Sequence, residues 1–346
     1  MLLSAFATQD ASRHALGDVL AALGFCPSEC PYRIVAARSH WRLREYANSG
    51  DGKVVVIVAA PIKKPYIWDL APPVSVIKLL LKRGFCVYML EWAAPQAHHS
   101  NPGLADYAGR FIGEGLAHVA EITKRAKPVL IGHSLGGTLA AIYAAAHSSD
   151  LCGLLLLGAP LSFKKGTSPF RDAVAAMTRD IDLAPDIVPG SLLAQLSAFA
   201  APDAFVWSRI NEVAYAMGDA RALDMQARIE RWVLDEFPVS GHLIEEILRL
   251  LYQDDRLCQG TLQIGDVFSD PRGLQLPTLA VINKRDVVAP LPSVAPFLEA
   301  MDAKQARLIE YAGEIGVGLQ HLAVLIGRQA HLRLWPEILS WLDELP

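Results

Sequence analysis

Pro128-Val129-Leu130-Ile131-Gly132-His133-Ser134-Leu135-Gly136-Gly137-Thr138 is an apolar run that drives into a Gly-x-Ser-x-Gly box, with a helix-forming stretch, Leu139 to His147, directly behind it. The order strand, box, helix is that of a nucleophile elbow. There a serine sits at the tip of a sharp, strained turn, and a Cβ two residues to either side would collide with the neighbouring strand or helix. The five letters alone are a weak signal. The strand-like run before them, the small Gly137-Thr138-Leu139-Ala140-Ala141 after them and the absence of Pro from Leu135 to His147 supply the context. Ser134 is therefore the candidate nucleophile.

Working outward, near-continuous apolar runs recur at Val54 to Ala60, Cys86 to Trp92, Val129 to Ser134, Leu151 to Gly158, Thr278 to Asn283 and Ala306 to Ala312. Strands covered on both faces read this way. Helical patterns at Val74 to Arg83, Leu104 to Lys124 and Leu135 to His147 separate several of them, which predicts an α/β fold: a mostly parallel sheet flanked by helices. Upstream, residues 9 to 24 have helical spacing, and Tyr32 to Arg38 with Trp41 to Tyr46 alternate as a hairpin. From 161 to 270 the alternation stops and the pattern turns mainly helical, as in Ser191 to Phe199, Ala220 to Phe237 and His242 to Tyr252. An insertion there lies over the carboxyl ends of the strands, so the division is a core of 1–160 and 271–346 and a cap of 161–270.

The 346 residues are 52% hydrophobic and 20% charged, with a formal net charge of −4. That balance gives no electrostatic case for nucleic acid or an anionic membrane. The longest apolar runs are strand length, far short of a bilayer span, and Asp10, Arg13, His14 and Asp18 interrupt any leader-like core near the amino terminus. The expected location is the cytoplasm. Five cysteines, an odd number, read as reduced core thiols, and Cys26 with Cys30 lacks a second ligand pair, so neither metal nor cofactor is expected.

A serine hydroxyl needs a base, and the base needs an acceptor to fix its tautomer. After an elbow the acid comes first and the histidine second. Asp286 follows the strand Thr278 to Asn283, on the same sheet edge as the elbow. The histidine is His321, at the end of a loop carrying Gly313, Gly316 and Gly318 whose glycines suggest flexibility, with His331 in the final helix as the alternative. His133 is pointed away by the turn, His98-His99 occupy a polar loop, and His242 precedes Asp286, the wrong order. For the tetrahedral oxyanion, Leu135 N–H is one donor and, because Pro61 has none, Ile62 N–H is the second. Lys63 and Lys64 read as a solvated pair or as a greeting for an anionic substrate.

Pro61-Ile62-Lys63-Lys64-Pro65-Tyr66-Ile67-Trp68-Asp69-Leu70 resembles the segment after the early strand of polyhydroxyalkanoate synthases: Pro, Ile, Asn, Lys, aromatic, Tyr, Ile, x, Asp, Leu. Glu91-Trp92, Asp106-Tyr107, Gly136-Gly137-Thr138, Val206-Trp207, Leu250-Leu251-Tyr252 with Leu257 and Gly260, and Asp286 with Pro290 continue the match in order, from about residue 30 onward. The resemblance implies an α/β-hydrolase core, a mobile cap and acyl chemistry on hydroxyacyl groups. It also implies a cysteine where this chain has Ser134, a histidine where it has Val287, and a shorter setting for the base than the loop ending at His321. Three readings follow. One is a serine acyl hydrolase acting on acyl or hydroxyacyl esters or thioesters. Another is a synthase-like acyltransferase using hydroxyacyl-CoA. The last is a non-catalytic relative that binds acyl chains or a partner protein.

Overall fold

The computed structural model describes residues 2–46, 52–95, 101–124, 127–179 and 187–346. Eight strands form one sheet: β1 (Tyr32–Ala37), β2 (Trp41–Tyr46), β3 (Val54–Val58), β4 (Cys86–Trp92), β5 (Val129–His133), β6 (Gly153–Leu157), β7 (Thr278–Asn283) and β8 (Ala306–Tyr311). Their spatial order is β1-β2-β4-β3-β5-β6-β7-β8. The pairs β1/β2 and β2/β4 are antiparallel, and every other pair is parallel.

The apolar runs explain the layering. Val54, Val56 and Val58 of β3 point into one core with Leu154 and Leu156 of β6, whereas Val55 and Ile57 join Leu155 and Leu157 in the other. The first core is closed by α3 (Ile112–Thr123) and α4 (Leu135–Ala146), the second by α2 (Val76–Lys82) and the C-terminal helix Trp335–Glu344. Strands buried on both faces cannot alternate polar and apolar residues, so they read as continuous hydrophobic segments.

The strand order reverses between β4 and β5, on either side of β3. The carboxyl ends of β3 and β5 therefore lie side by side, with Val58 in register with Gly132. In open parallel sheets this is where a crevice forms. Over it stands the inserted segment, with α5 (Pro169–Met177), α6 (Gly190–Ala200), α7 (Ser208–Ala216), α8 (Ala220–Leu234) and α9 (Gly241–Glu246). Two elements pack across the boundaries drawn from sequence. The N-terminal helix α1 (Leu2–Ala22), grouped with the core by sequence order, packs on α6 and α8. The hairpin of Leu262–Ile264 and Val267–Ser269 packs on α4, where Ser269 Oγ donates to the Ile142 carbonyl at 2.9 Å. Both are contacts between residues far apart in the chain, which local periodicity does not encode.

Candidate active site

β5 ends at His133 and α4 begins at Leu135, leaving Ser134 alone at the turn with φ 53° and ψ −133°. Such a backbone costs a non-glycine residue about 1–3 kcal/mol and persists only where its surroundings over-determine it. Here Ser134 N–H donates to the Leu157 carbonyl of β6 at 3.0 Å, and the Ser134 carbonyl accepts from Thr138 N–H at 3.0 Å. The flanking glycines are required by close approach. A Cβ on Gly136 would lie 2.3 Å from the Val58 carbonyl oxygen of β3, and one on Gly132 would lie 2.5 Å from Gly137 Cα. As first residue of α4, Leu135 has an N–H with no intrahelical acceptor. Ile62 leaves the end of the adjacent β3, and Ile62, Ser134 and Leu135 line one cavity.

Asp286 and His321 arrive from β7 and β8 on the same sheet edge. His321 Nδ1–H donates to Asp286 Oδ2 at 2.7 Å, and both side chains are buried. Because Nδ1 keeps its hydrogen and donates it to the carboxylate, Nε2 carries the ring's lone pair, and it is buried without a hydrogen-bond partner. A buried, unsatisfied ring nitrogen in a native fold calls for an explanation. This one borders the cavity that Ser134 also lines. Burial by itself pushes the Asp286 acid upward, but His321 and the backbone N–H groups of Val288 and Ala289 outweigh it and hold the carboxyl below its ordinary range.

A family profile described as the alpha/beta hydrolase fold matches residues 66–199. A monoacylglycerol lipase from Paleococcus ferrophilus superimposes with a TM-score of 0.55 at 16% identity, covering 87% of this chain and 98% of that one. An esterase from Thermogutta terrifontis gives 0.53 at 17%, covering 91% and 99%. The chain has the α/β-hydrolase fold. Among curated proteins it is similar to the poly(3-hydroxyalkanoate) polymerase subunit PhaC of Haloferax mediterranei, 26% identical over 91% of this chain and 64% of the relative. It is also similar to that of Synechocystis sp., 26% identical over 93% and 85%. Against the Haloarcula marismortui subunit it is 25% identical over 84% of its own length and 60% of the relative. The resemblance read from the segment Pro61 to Leu70 and its successors thus holds over most of the chain, which spans under two thirds of the Haloferax and Haloarcula relatives.

Within this α/β-hydrolase fold the loop carrying His321 departs from the expectation of flexibility. Gly313 and Gly316 do adopt positive φ, but Gln320 pins the loop. Its Nε2 donates to the carbonyls of Glu314 and Val317 at 2.7 and 2.6 Å, and Asn283 Nδ2 donates to the Gln320 carbonyl at 2.7 Å. Glu314 in turn accepts from Tyr311 Oη at 2.5 Å and from Gln329 N–H at 2.9 Å. His321 is held in place, and the glycines serve the path of the backbone.

Sequence reasoning gave His133 no contact with this site. It is buried, its Nε2–H donates to the His321 carbonyl at 2.9 Å, and its ring lies 4.7 Å from the His321 ring. Burial, and then His321 beside it, push its pKa down from 6.5 to about 3. Between those values the unfolded chain takes up a proton that the folded chain refuses. Stability is therefore undiminished by this group above pH 6.5 and falls below it, by at most about 1.4 kcal/mol per pH unit. His331 is also lowered, by burial, and acts with the same sign. Urea melts from pH 7 to pH 5 are expected to lose stability, and His133→Gln is expected to flatten that slope; equal slopes would show that His133 is not buried in its neutral form.

The other candidates lie elsewhere. His331 Nε2 bonds the Leu325 carbonyl at 2.6 Å and does not line the cavity, so of His321 and His331 it is His321 that borders the cavity lined by Ser134. His242 is half exposed, with Nδ1 on the Asn101 carbonyl, and His98-His99 lie outside the described residues. Lys63 is neither solvated nor free for an anion: its Nζ sits 2.8 Å from a buried Glu236 carboxylate oxygen and 2.7 Å from the Val233 carbonyl. Lys64 Nζ stands over the Phe237 ring at 4.8 Å. Cys26 is exposed, unlike the core thiol expected there. No group of three or more metal-ligating side chains occurs among the described residues, and no described helix is long and apolar enough to cross a membrane.

The cavity has a volume of about 440 Å³. Phe163, Phe170, Val174, Phe205, Ile244 and Leu248 make one side apolar, and Phe170 stacks on Phe205 at 5.6 Å. Gln9, Arg13, Lys63 and Arg209 border it elsewhere. The apolar stretch Leu192 to Ala201 divides between two environments: Leu193 and Leu196 face the cavity, while Phe199 is exposed.

Proposed function

We propose that the chain is an acyl-enzyme-forming serine enzyme, acting as a hydrolase on acyl or hydroxyacyl esters or thioesters. Ser134 is the nucleophile, His321 the base, Asp286 its orienting acid, and the Leu135 and Ile62 N–H groups the oxyanion donors. The observation that carries this reading is the buried His321 imidazole, bonded through Nδ1 to Asp286 and presenting an unoccupied Nε2 to the cavity of Ser134. Ser134 Oγ adds to the substrate carbonyl carbon as its proton passes to His321 Nε2, and the carbonyl oxygen gains a negative charge that the two N–H groups face. Collapse expels the alcohol or thiol, which takes the proton from the imidazolium, leaving an ester on Ser134. Water, deprotonated by the same imidazole, adds to that ester, and its bond to Ser134 Oγ breaks as the imidazolium returns the proton to the serine and the acid departs. Ser134 Oγ comes into hydrogen-bond reach of the unsatisfied His321 Nε2 as substrate binds, as is common for catalytic pairs that are loosely aligned without ligand.

The inserted segment acts as a cap over this cavity, and its apolar side takes the acyl chain. Five cysteines, none of them held in a disulfide, suit a cytoplasmic setting. A second reading, transfer of the acyl group to a hydroxyl acceptor, is favoured by the similarity to the polymerase subunits. A water-poor cavity would favour that outcome, and so would a thiol nucleophile of the kind the resemblance implies. Incubation with a 3-hydroxyacyl-CoA separates the two. Wild type is expected to release CoA and free hydroxy acid in equal amounts, and Ser134→Cys is expected to shift product toward oligomer. Oligomer from the wild-type serine enzyme would establish transfer and overturn hydrolysis.

A further inference from the structure

Glu236 is 1% exposed and lies just past the end of α8, yet it joins three segments that are remote in sequence. One oxygen accepts from Arg13 Nε of α1 at 2.8 Å, and the other from Lys63 Nζ at 2.8 Å. Its backbone pairs antiparallel with Lys63, and its carbonyl accepts from His14 Nε2–H at 2.8 Å. The carboxylate also lies against the start of α6, since a Cβ on Gly190 would stand 3.0 Å from Glu236 Oε2. On the other side of that junction Asp10 of α1 accepts from Gly190 N–H at 3.1 Å and Ser191 N–H at 2.8 Å. A buried carboxylate is retained only when such partners satisfy it, and removing one leaves the remainder poorly compensated.

The placement of these partners is what matters. Lys63 directly follows Ile62, and Gln9 and Arg13 border the cavity from α1. Resting on the serine-enzyme reading above, we propose that Glu236 is a positioning residue with two separable outputs: through Lys63 it sets the Ile62 N–H toward the reacting carbonyl, and through Arg13 it seats α1 as a wall of the substrate cavity. An oxyanion donor acts in the transition state and leaves ground-state binding little changed, whereas a cavity wall acts on binding. The two cations therefore govern different kinetic constants.

The test combines hydrogen exchange by mass spectrometry with steady-state kinetics on a p-nitrophenyl acyl ester, using Lys63→Met, Arg13→Met and Glu236→Gln in the full chain. Lys63→Met is expected to speed amide exchange across residues 60–64 and to lower kcat about 10- to 100-fold, with KM within about twofold. Arg13→Met is expected to speed exchange in α1 and to raise KM several-fold, with kcat less affected. Glu236→Gln is expected to show both effects. Should Glu236→Gln fail to fold, the two cation variants, each leaving the carboxylate one partner, carry the test alone. The proposal is overturned if Lys63→Met leaves exchange at 60–64 unchanged, or if both cation variants move the same constant. A folded wild type with no turnover would sink the enzyme reading, and exchange would then decide the positioning role of Glu236 by itself: faster exchange at both segments in Glu236→Gln supports it, unchanged exchange refutes it.

Discussion

Ser134→Ala is expected to lower kcat for an acyl ester by about 10⁵-fold or more, leaving a folded protein that still binds substrate. On the proposed mechanism, removing the hydroxyl deletes the atom that carries the acyl group, so no covalent intermediate forms. The fold should survive, because the turn is set by the Leu157 carbonyl and by the close approach of Gly132 and Gly136 to their neighbours, none of which involves the serine side chain. Rate measurements on purified variant and wild type, with circular dichroism as the check on folding, decide this. A residual rate within tenfold of wild type would show that Ser134 is not the nucleophile.

Asp286→Asn is expected to lower kcat by about 10⁴-fold with KM nearly unchanged. The substitution keeps the shape of a side chain that is 4% exposed, so packing is preserved. The electronic effect is large. An amide group turned toward His321 Nδ1 would present N–H donors there, which drives the ring proton to Nε2 and removes the lone pair that the hydroxyl needs. The positive imidazolium formed in the reaction would also lose the carboxylate 2.7 Å away. A fall confined to KM would mean that Asp286 serves binding and leaves the imidazole unaffected.

What could be read from the residues follows from how local each signal is. The elbow is encoded within eleven consecutive residues, and the two-faced burial of the sheet is written into each apolar strand, so the α/β architecture and the place of Ser134 at the tip of the turn were both legible. The position of Asp286 follows from the order of elements along one sheet edge. Which of His321 and His331 borders the cavity did not, because it depends on contacts of Gln320 with Asn283 and of His133 with the His321 carbonyl, across as many as 188 residues. Lys63 illustrates the same limit. A Lys-Lys pair in a loop looks solvated until a carboxylate 173 residues away is placed against it. The seat of α1 on α6 and α8 belongs to this class too: Asp10 and Arg13 carry no local signal for partners near residues 190 and 236.

Covalent labelling with a fluorophosphonate, followed by intact mass and peptide mapping, tests the central claim most directly. A phosphonyl centre reports hydroxyl activation without any assumption about the natural acyl group. The account predicts one adduct per chain, located on Ser134, absent from Ser134→Ala and formed far more slowly in His321→Ala. A folded wild type that takes up no label, or an adduct that persists in Ser134→Ala, would contradict it and leave the cavity as a binding site alone.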